Sequence, residues 1–215
     1  MIKQPLETKS QKMDDAALSH QAVVIGVSAG GMDALAAIVP ELPKDFSLVV
    51  VVVQHLRQDS VSTLAEFLNR KSAIVVTEAL DKEPMNKGTV YIAPPAYHLQ
   101  IEENHSFSLS VDPAVNYARP SIDVLFDSAA DVYEDRLVGV LLTGANSDGA
   151  LGLKTIKSKG GLTICQDPAT AEAPVMPRAA MELFEVDLVL PLDQIGPYLS
   201  KINSDDSYHS SEELI

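Results

Sequence analysis

The chain has 215 residues, 46% of them hydrophobic, and a formal net charge of −14. This length and a mean hydropathy of +0.08 exclude an intrinsically disordered chain and predict a globular domain with a sizeable core. The negative charge argues against nucleic acid or an anionic membrane as a partner, because either would repel the chain. The single cysteine excludes an internal disulfide, and no apolar run reaches the roughly 20 residues that span a bilayer, so we expect a cytoplasmic protein without membrane insertion.

The predicted elements alternate between strand and helix along the first part of the chain. Residues 1–20 are polar and without pattern, so we expect a flexible tail there. Strands are predicted at residues 22–27, 47–53 and 73–77, and helices at residues 32–38 and 61–68. The second strand is a continuous β-branched run, which is typical of a central parallel strand that is covered on both faces.

In the second part of the chain a hairpin precedes further strands and helices. Residues 98–102 and 107–111 alternate in polarity around Glu103-Asn104-His105, which predicts the hairpin. Later strands are predicted at residues 137–142, 162–165 and 186–190, and helices at residues 122–133, 151–158, 178–183 and 192–202. Ser121 is predicted as the N-cap of the first of these helices. Residues 204–215 are acidic and serine-rich, and we expect a second flexible tail.

This order of elements predicts an α/β fold. Strands that alternate with helices of this length form a doubly wound, mostly parallel sheet with helices on both faces, and the hairpin is expected at one antiparallel edge. Because the sequence has no internal repeat, residues 21–203 are predicted to form one domain between the two tails.

The stretch VVIGVSAGG ends the first predicted strand on a Gly-x-Ser-x-Gly turn. Ser28 lies at its centre, and the flanking glycines allow a sharp turn into the following helix. A serine that projects from such a turn can be a nucleophile, but a glycine-rich strand-to-helix turn can also cradle a phosphate. A tight turn also tolerates serine simply because it is small, so this stretch alone leaves all three interpretations open.

Three polar residues follow three predicted parallel strands: Ser28, His55 and Asp148. The carboxyl ends of such strands meet at one edge of the sheet, where these types can act as nucleophile, general base and orienting carboxylate. Each residue alone has a structural alternative. Ser28 fits a tight turn, His55 a polar strand end, and Asp148 the N-cap of the helix that follows it. His98 and His105, in the hairpin region, are expected to be exposed.

Six segments from Val23 to about Leu190, in this order and spacing, carry a resemblance to a known family. They are VIGVSAGG, VVVQH, GTVYIAPPAYHL, ARPSIDVLFDSAA, VGVLLTGANSDGA and QDPATAEAPVMPRAAME. The chain resembles the catalytic domain of the chemotaxis protein-glutamate methylesterases, the receptor demethylases. The resemblance implies that Ser28, His55 and Asp148 form a catalytic triad, which cleaves glutamyl γ-methyl esters and deamidates glutamine through a glutamyl-enzyme, without cofactor or metal.

The resemblance also implies further site residues and partners. The turn after Ser28, at Ala29 and Gly30, and the N–H of Ala145 are expected to donate to an oxyanion. Arg119, Met176 and Arg178 are expected to line the cleft, although both arginines fit a structural role equally well. The partner implied is a methylated chemoreceptor or a similar signalling protein. Since about 20 residues are too few for the receiver domain of many relatives, we expect a free-standing member or a receiver acting from another chain.

Two departures from the family pattern leave the substrate and the regulation open. The stretch after the histidine, Leu56-Arg57-Gln58-Asp59, lacks the proline that is often found there, and Ala29 follows the serine where a hydroxyl residue is common. The main alternative function is a Rossmann-like module that binds a nucleotide phosphate at the Ser28 turn. Against it, GVSAGG is not Gly-x-Gly-x-x-Gly, and no acidic residue ends the second strand, although Asp59 lies near. A catalytically inactive scaffold that recognises receptors is a third alternative.

Overall fold

A computed structural model describes residues 20–55 and 63–202 of the chain. The strands are β1 Ala22–Val27, β2 Val49–Gln54, β3 Val75–Glu78, β4 Thr89–Ile92, β5 His98–Ile101, β6 Phe107–Ser110, β7 Leu137–Leu141, β8 Leu162–Gln166 and β9 Leu188–Leu190. The helices are α1 Gly31–Ile38, α2 Leu64–Lys71, α3 Ile122–Tyr133, α4 Ala150–Ser158, α5 Val175–Leu183 and α6 Leu192–Ile202. None of these helices combines the length and the apolar character needed to cross a membrane.

The main sheet has seven strands, all parallel, in the order β3-β4-β2-β1-β7-β8-β9. The central strand β1 pairs with β2 on one side and with β7 on the other, so that Ala22 is in register with Val49 and Leu137. The strand order therefore reverses at β1. In open parallel sheets, ligands bind at such a switch point, beyond the carboxyl ends of the strands.

Alternating residues of β1 face the two halves of the core. Val24 lies in a buried cluster with apolar residues of α3, α4 and α5, whereas Val23 and Ile25 lie in a second cluster with residues of α1, α2 and α6. All six residues of β1 are buried. The helices thus cover both faces of the sheet, as in a doubly wound fold, and the fold class predicted from the sequence is confirmed.

The predicted hairpin is present, but it does not form an edge of the main sheet. Strands β5 and β6 pair antiparallel with each other as a separate two-stranded sheet. The ring of Phe107 packs edge-on against Tyr91, with 4.8 Å between ring centroids, and the N–H of Ile101 donates to Ser128 Oγ of α3. Because its apolar side chains are buried against β4 and α3, the hairpin covers a face of the main sheet, and β3 takes the edge position.

The predicted boundaries differ from the observed ones by at most three residues, and those of β1, α3 and α6 coincide with them. Helix α5 starts at Val175 rather than at residue 178, because Pro177 lies in its first turn, where no N–H needs an intrahelical acceptor. The predicted helix over residues 61–68 is seen as Leu64–Lys71, and residues 61 and 62 lie outside the described part. Apart from His20, both predicted tails also lie outside the described residues, so the tails and the domain bounds 21–203 stay predictions.

Candidate active site

Ser28 directly follows β1 and is held between the neighbouring strands. Its N–H donates to Thr143 O at 2.9 Å, which extends the pairing of β1 with β7 beyond the strand end. The chain then turns through Gly30, whose φ of +75° is the left-handed conformation that glycine adopts without strain, and enters α1. Ser28 is half-buried, so its hydroxyl lies at the edge of the sheet with access to solvent.

His55 lies between the hydroxyl of Ser28 and the carboxylate of Asp148. Its N–H donates to Val27 O at 3.0 Å, which fixes the residue at the end of β2. The ring atom Nδ1 is 3.1 Å from Ser28 Oγ, and Nε2 is 2.8 Å from Asp148 Oδ2. Since the carboxylate accepts a hydrogen bond from Nε2–H, the lone pair of Nδ1 is left to accept the proton of Ser28. The sequence did not indicate which ring nitrogen faces which partner.

Asp148 is fully buried, and every described contact of its carboxylate is with a donor. The donors to Oδ2 are His55 Nε2 and the N–H of Ile122, and those to Oδ1 are the Ser121 hydroxyl, Asn116 Nδ2 and the N–H of Asp123. Burial alone would raise the pKa of Asp148, but these hydrogen bonds outweigh it and hold the pKa below its ordinary value. The group is therefore a carboxylate at neutral pH.

The structural alternative for Asp148, an N-cap of the following helix, is wrong. Gly149 occupies the N-cap of α4, with a φ of +91°. The Asp148 carboxylate instead binds the first N–H groups of α3, at 2.7 Å from Ile122 N. Ser121 is at the N-cap position of α3 as predicted, but its hydroxyl donates to Asp148 at 2.8 Å rather than capping its own helix. Asp148 thus joins the N-terminus of α3 to the His55 ring.

A second buried carboxylate, Asp123, lies beside Asp148. It accepts from Gly152 N–H at 2.7 Å and from Asn116 Nδ2 at 2.7 Å, so Asn116 donates to both carboxylates. Burial and the neighbouring charge of Asp148 raise the pKa of Asp123 from 3.8 to about 6, against the effect of the Gly152 N–H. The sequence did not single out Asp123, because it reads as an ordinary acidic residue in the first turn of a helix.

Replacing Asp123 with asparagine is expected to stabilise the protein more at pH 8 than at pH 4. Because the pKa of Asp123 is higher in the folded protein, the protonated carboxyl is the form that the fold favours. Its contribution to stability is fully present below pH 3.8 and is lost as the pH rises through about 6. Asparagine carries no charge at either pH. We expect the change in unfolding free energy caused by Asp123→Asn to differ by roughly 1–2 kcal/mol between the two pH values, after allowance for solvent screening.

Chemical denaturation at both pH values measures this difference, with Asp33→Asn as the matched control. Asp33 is also in the first turn of a helix, α1, but it is exposed, so its substitution is expected to have nearly the same effect at both pH values. An equal effect of Asp123→Asn at pH 4 and pH 8 would contradict the raised pKa.

Gln54, which the sequence did not single out, connects the backbones of Ser28 and His55. Its Nε2 donates to Ser28 O at 2.9 Å and to His55 O at 3.1 Å. Its Oε1 is buried without a hydrogen-bond partner and lies against Gly31, where a Cβ would collide with it. The side chain therefore fixes the ends of β1 and β2 relative to each other. In the sequence, the only indication that Gln54 belongs to the site is its position directly before His55 at the end of a strand.

The expected oxyanion donors are the backbone N–H groups of Ala29, Gly30 and Ala145. Within the described part of the chain, the N–H groups of Ala29, Gly30 and Ala145 donate no hydrogen bond. Thr143 Oγ1 donates to Ala29 O at 2.8 Å, and because a peptide is planar this contact also fixes the direction of the Gly30 N–H. Gly144 connects to the next loop through its N–H to Ala173 O at 2.9 Å, so the Ala145 segment is also held in place.

The three residues expected to line the cleft, Arg119, Met176 and Arg178, differ from one another in burial and in hydrogen bonding. Arg119 Nη1 donates to Val111 O at 2.7 Å and to Asp112 O at 3.0 Å, which supports the structural alternative for this arginine. Met176 is fully buried beneath the Gly144 segment. Arg178 is exposed, and its guanidinium makes no hydrogen bond or ion pair with any other described residue.

The prediction that His98 is exposed is wrong. His98 is 2% exposed, accepts from Ser121 N–H at Nδ1 and lies 3.1 Å from Pro113 O at Nε2. Its ring supports the residue before α3, so the hairpin contributes to the position of that helix. His105 is exposed as predicted, and its Nδ1 is 3.3 Å from the Tyr133 hydroxyl. Over the described ranges, no group of three or more His, Cys, Asp or Glu could hold a metal ion.

A hydrogen-bonded serine, histidine and aspartate at the switch point of a doubly wound parallel sheet is an arrangement typical of a hydrolytic enzyme. The CheB methylesterase family model matches residues 23–199, and the chain belongs to this family. It is 37% identical to the Thermotoga maritima CheB methylesterase catalytic domain, with a TM-score of 0.82 over 86% of this chain and 99% of that one.

Two further relatives differ in how much of their length the chain covers. A Leptospira interrogans protein is 49% identical over 189 residues, which are 88% of this chain and 98% of that protein. The protein-glutamate methylesterase/protein-glutamine glutaminase of Clostridium acetobutylicum is 41% identical over 184 residues. These residues are 86% of this chain, but the chain spans only about half, 53%, of the clostridial protein.

Proposed function

We propose that residues 21–203 are a catalytic domain that hydrolyses glutamyl γ-methyl esters on chemoreceptor-type proteins and deamidates glutamine side chains there. The observation that carries this proposal is the continuous hydrogen-bonded series from Ser28 Oγ through the His55 ring to Asp148 Oδ2, with distances of 3.1 and 2.8 Å. Family membership and the activity for which the clostridial relative is named supply the reaction. The fold supports it by placing the series at the edge where parallel sheets bind ligands.

In the proposed mechanism the Ser28 hydroxyl attacks the γ-carbonyl carbon while His55 Nδ1 takes its proton. The tetrahedral oxyanion is stabilised by free N–H groups among those of Ala29, Gly30 and Ala145, and one such donor lowers the barrier by about 3 kcal/mol. Protonated His55 then gives its proton to the departing methanol, or to ammonia when the substrate is glutamine. Asp148 keeps the imidazole oriented and stabilises its charged form throughout.

Hydrolysis of the glutamyl-enzyme repeats these steps with water as the nucleophile. His55 Nδ1 takes a proton from water, the oxyanion forms again, and Ser28 leaves with a proton returned by the imidazolium. The product is a γ-carboxylate. Each step uses a side chain or N–H of this chain.

The geometry of the Ser28 turn argues against the alternative of a phosphate-binding module. The Ser28 hydroxyl already makes a hydrogen bond with His55, so it is not available to a phosphate.

Methanol release tests the proposal on two substrates. The small one is N-acetylglutamic acid γ-methyl ester methylamide, and the large one is a chemoreceptor cytoplasmic fragment with methyl-labelled glutamyl esters. We expect methanol from both, and ammonia from a fragment that carries glutamine at the same positions. Absence of methanol from both substrates, together with micromolar binding of NAD or ATP, would instead favour the phosphate-binding module.

A further inference from the structure

Asn116 and Tyr117 form a two-residue hairpin turn in the segment before α3. Val115 and Ala118 exchange both backbone hydrogen bonds, at 3.1 and 2.8 Å, and the two residues between them have φ values of +50° and +63°. Turns with two positive φ values favour Asn followed by Gly, because a Cβ is strained at the second position. This chain has a tyrosine there, so the backbone conformation of residue 117 is less favourable than it would be with glycine.

The tyrosine side chain gains no contact that would offset this strain. Tyr117 is fully exposed, with a relative accessibility of 102%. Its ring stacks on no aromatic group, and its hydroxyl makes no hydrogen bond to any residue of the described ranges. A bulky residue in a strained conformation that does not serve packing indicates a functional constraint.

Hydrogen bonds hold the turn next to the proposed triad. Asn116 Nδ2 donates to Asp148 Oδ1 at 3.0 Å and to Asp123 Oδ2 at 2.7 Å. Arg119 Nη1 donates to the carbonyls of Val111 and Asp112, which holds the start of the same segment in place. Since consecutive Cα atoms are about 3.8 Å apart, the tyrosine ring projects into solvent within roughly 10–15 Å of Asp148.

We propose that Tyr117 is a docking contact for the polypeptide that carries the reacting glutamyl side chain. The inference rests on the proposed function, because it takes the substrate to be a protein and not a free amino acid ester. An exposed aromatic ring next to a reaction site offers apolar area and a hydroxyl to a polypeptide surface, and such residues dominate binding at protein interfaces. A single esterified residue bound at Ser28 is too small to cover the ring.

The substitution Tyr117→Gly tests this role, because glycine fits the positive φ and removes the side chain. We expect the KM for the methyl-labelled receptor fragment to rise at least five-fold. The kcat/KM for the small ester should fall by a much smaller factor. We also expect the midpoint of thermal unfolding to rise by about 2 °C as the strained conformation is relieved. The matched control is Val75→Ala, which shortens an exposed apolar side chain at the start of the edge strand β3, at the opposite end of the sheet.

The two substrates separate failure of this inference from failure of the proposed function. If wild-type protein releases methanol from both but Tyr117→Gly changes both kcat/KM values by the same factor, the docking role is wrong. It is equally wrong if Tyr117→Gly and Val75→Ala have the same effect on the receptor fragment. If the wild type acts on neither substrate, the proposed function has failed first.

Discussion

Replacing Ser28 with alanine is expected to lower kcat for methanol release by about 10⁶-fold and to leave KM within a few-fold of wild type. The hydroxyl is the atom proposed to form the acyl bond, and no other group is expected to replace it at the end of β1. The residual rate comes from the oxyanion donors and from substrate positioning, which the substitution does not remove. The substitution deletes one oxygen from a half-buried position, so the fold should be unaffected.

Initial rates on the small ester, with Ser158→Ala as the control, measure this effect. Ser158 is the last residue of α4, and its hydroxyl donates to Thr155 O. Ser158→Ala removes the same group from a surface position away from the site, so the rate is expected to stay unchanged. A Ser28→Ala variant that keeps more than a tenth of the wild-type kcat would show that another group attacks the ester.

Replacing Asp148 with asparagine is expected to lower kcat by about 10⁴-fold. All five described contacts of the carboxylate come from donors, so an amide NH₂ at either oxygen position would face another donor. If the NH₂ faces His55, it donates to Nε2 and forces the ring proton onto Nδ1, which can then no longer accept the proton of Ser28. If it faces Ser121 and Asn116, the start of α3 must shift.

Asp187→Asn is the matched control for this substitution. Burial opposes ionisation of Asp187, but hydrogen bonds from Lys157 and Thr163 hold its pKa below the ordinary value, as at Asp148. This carboxylate lies just before β9, at the opposite edge of the sheet, and so its loss should reduce stability but leave kcat within about two-fold. A folded Asp148→Asn variant with near-normal kcat would remove Asp148 from the mechanism.

The sequence predicted the positions of Ser28, His55 and Asp148 because their placement follows from rules of chain topology. An apolar β-branched run marks a buried parallel strand, and polar residues in the loop after such a run lie at the carboxyl edge. Proximity of the three side chains then depends only on β2, β1 and β7 being neighbours. The fold class was predictable for the same reason, since the alternation of strands and helices is local information.

Contacts between segments distant in sequence could not be predicted. Asp148 binds the N-terminus of α3 instead of α4, because β7 brings its loop next to a helix that precedes it in the chain. His98 was expected to be exposed on the basis of its turn-rich surroundings, but the hairpin packs against α3 and buries it. Asn116 gave no signal, since an asparagine in a polar segment is common and its partners are 7 and 32 residues away.

The choice of ring nitrogen in His55 also required the structure. Residue types alone favour a histidine between a serine and an aspartate, but either nitrogen can face either partner. Here the end of β2 and the Gln54 side chain fix the backbone of His55, and Nδ1 faces Ser28 at 3.1 Å. The ring contacts thus place Nδ1 next to the proposed nucleophile and Nε2 next to the carboxylate.

The most direct test of the account is to find which atom of the protein reacts with a fluorophosphonate probe. Wild-type protein is labelled, digested and mapped by mass spectrometry, with His55→Ala treated in parallel. We predict one adduct, on Ser28 Oγ, and at least a hundred-fold slower labelling of the His55→Ala variant. An adduct on a different residue, or labelling of Ser28 at the same rate without the imidazole, would contradict a nucleophile activated by His55.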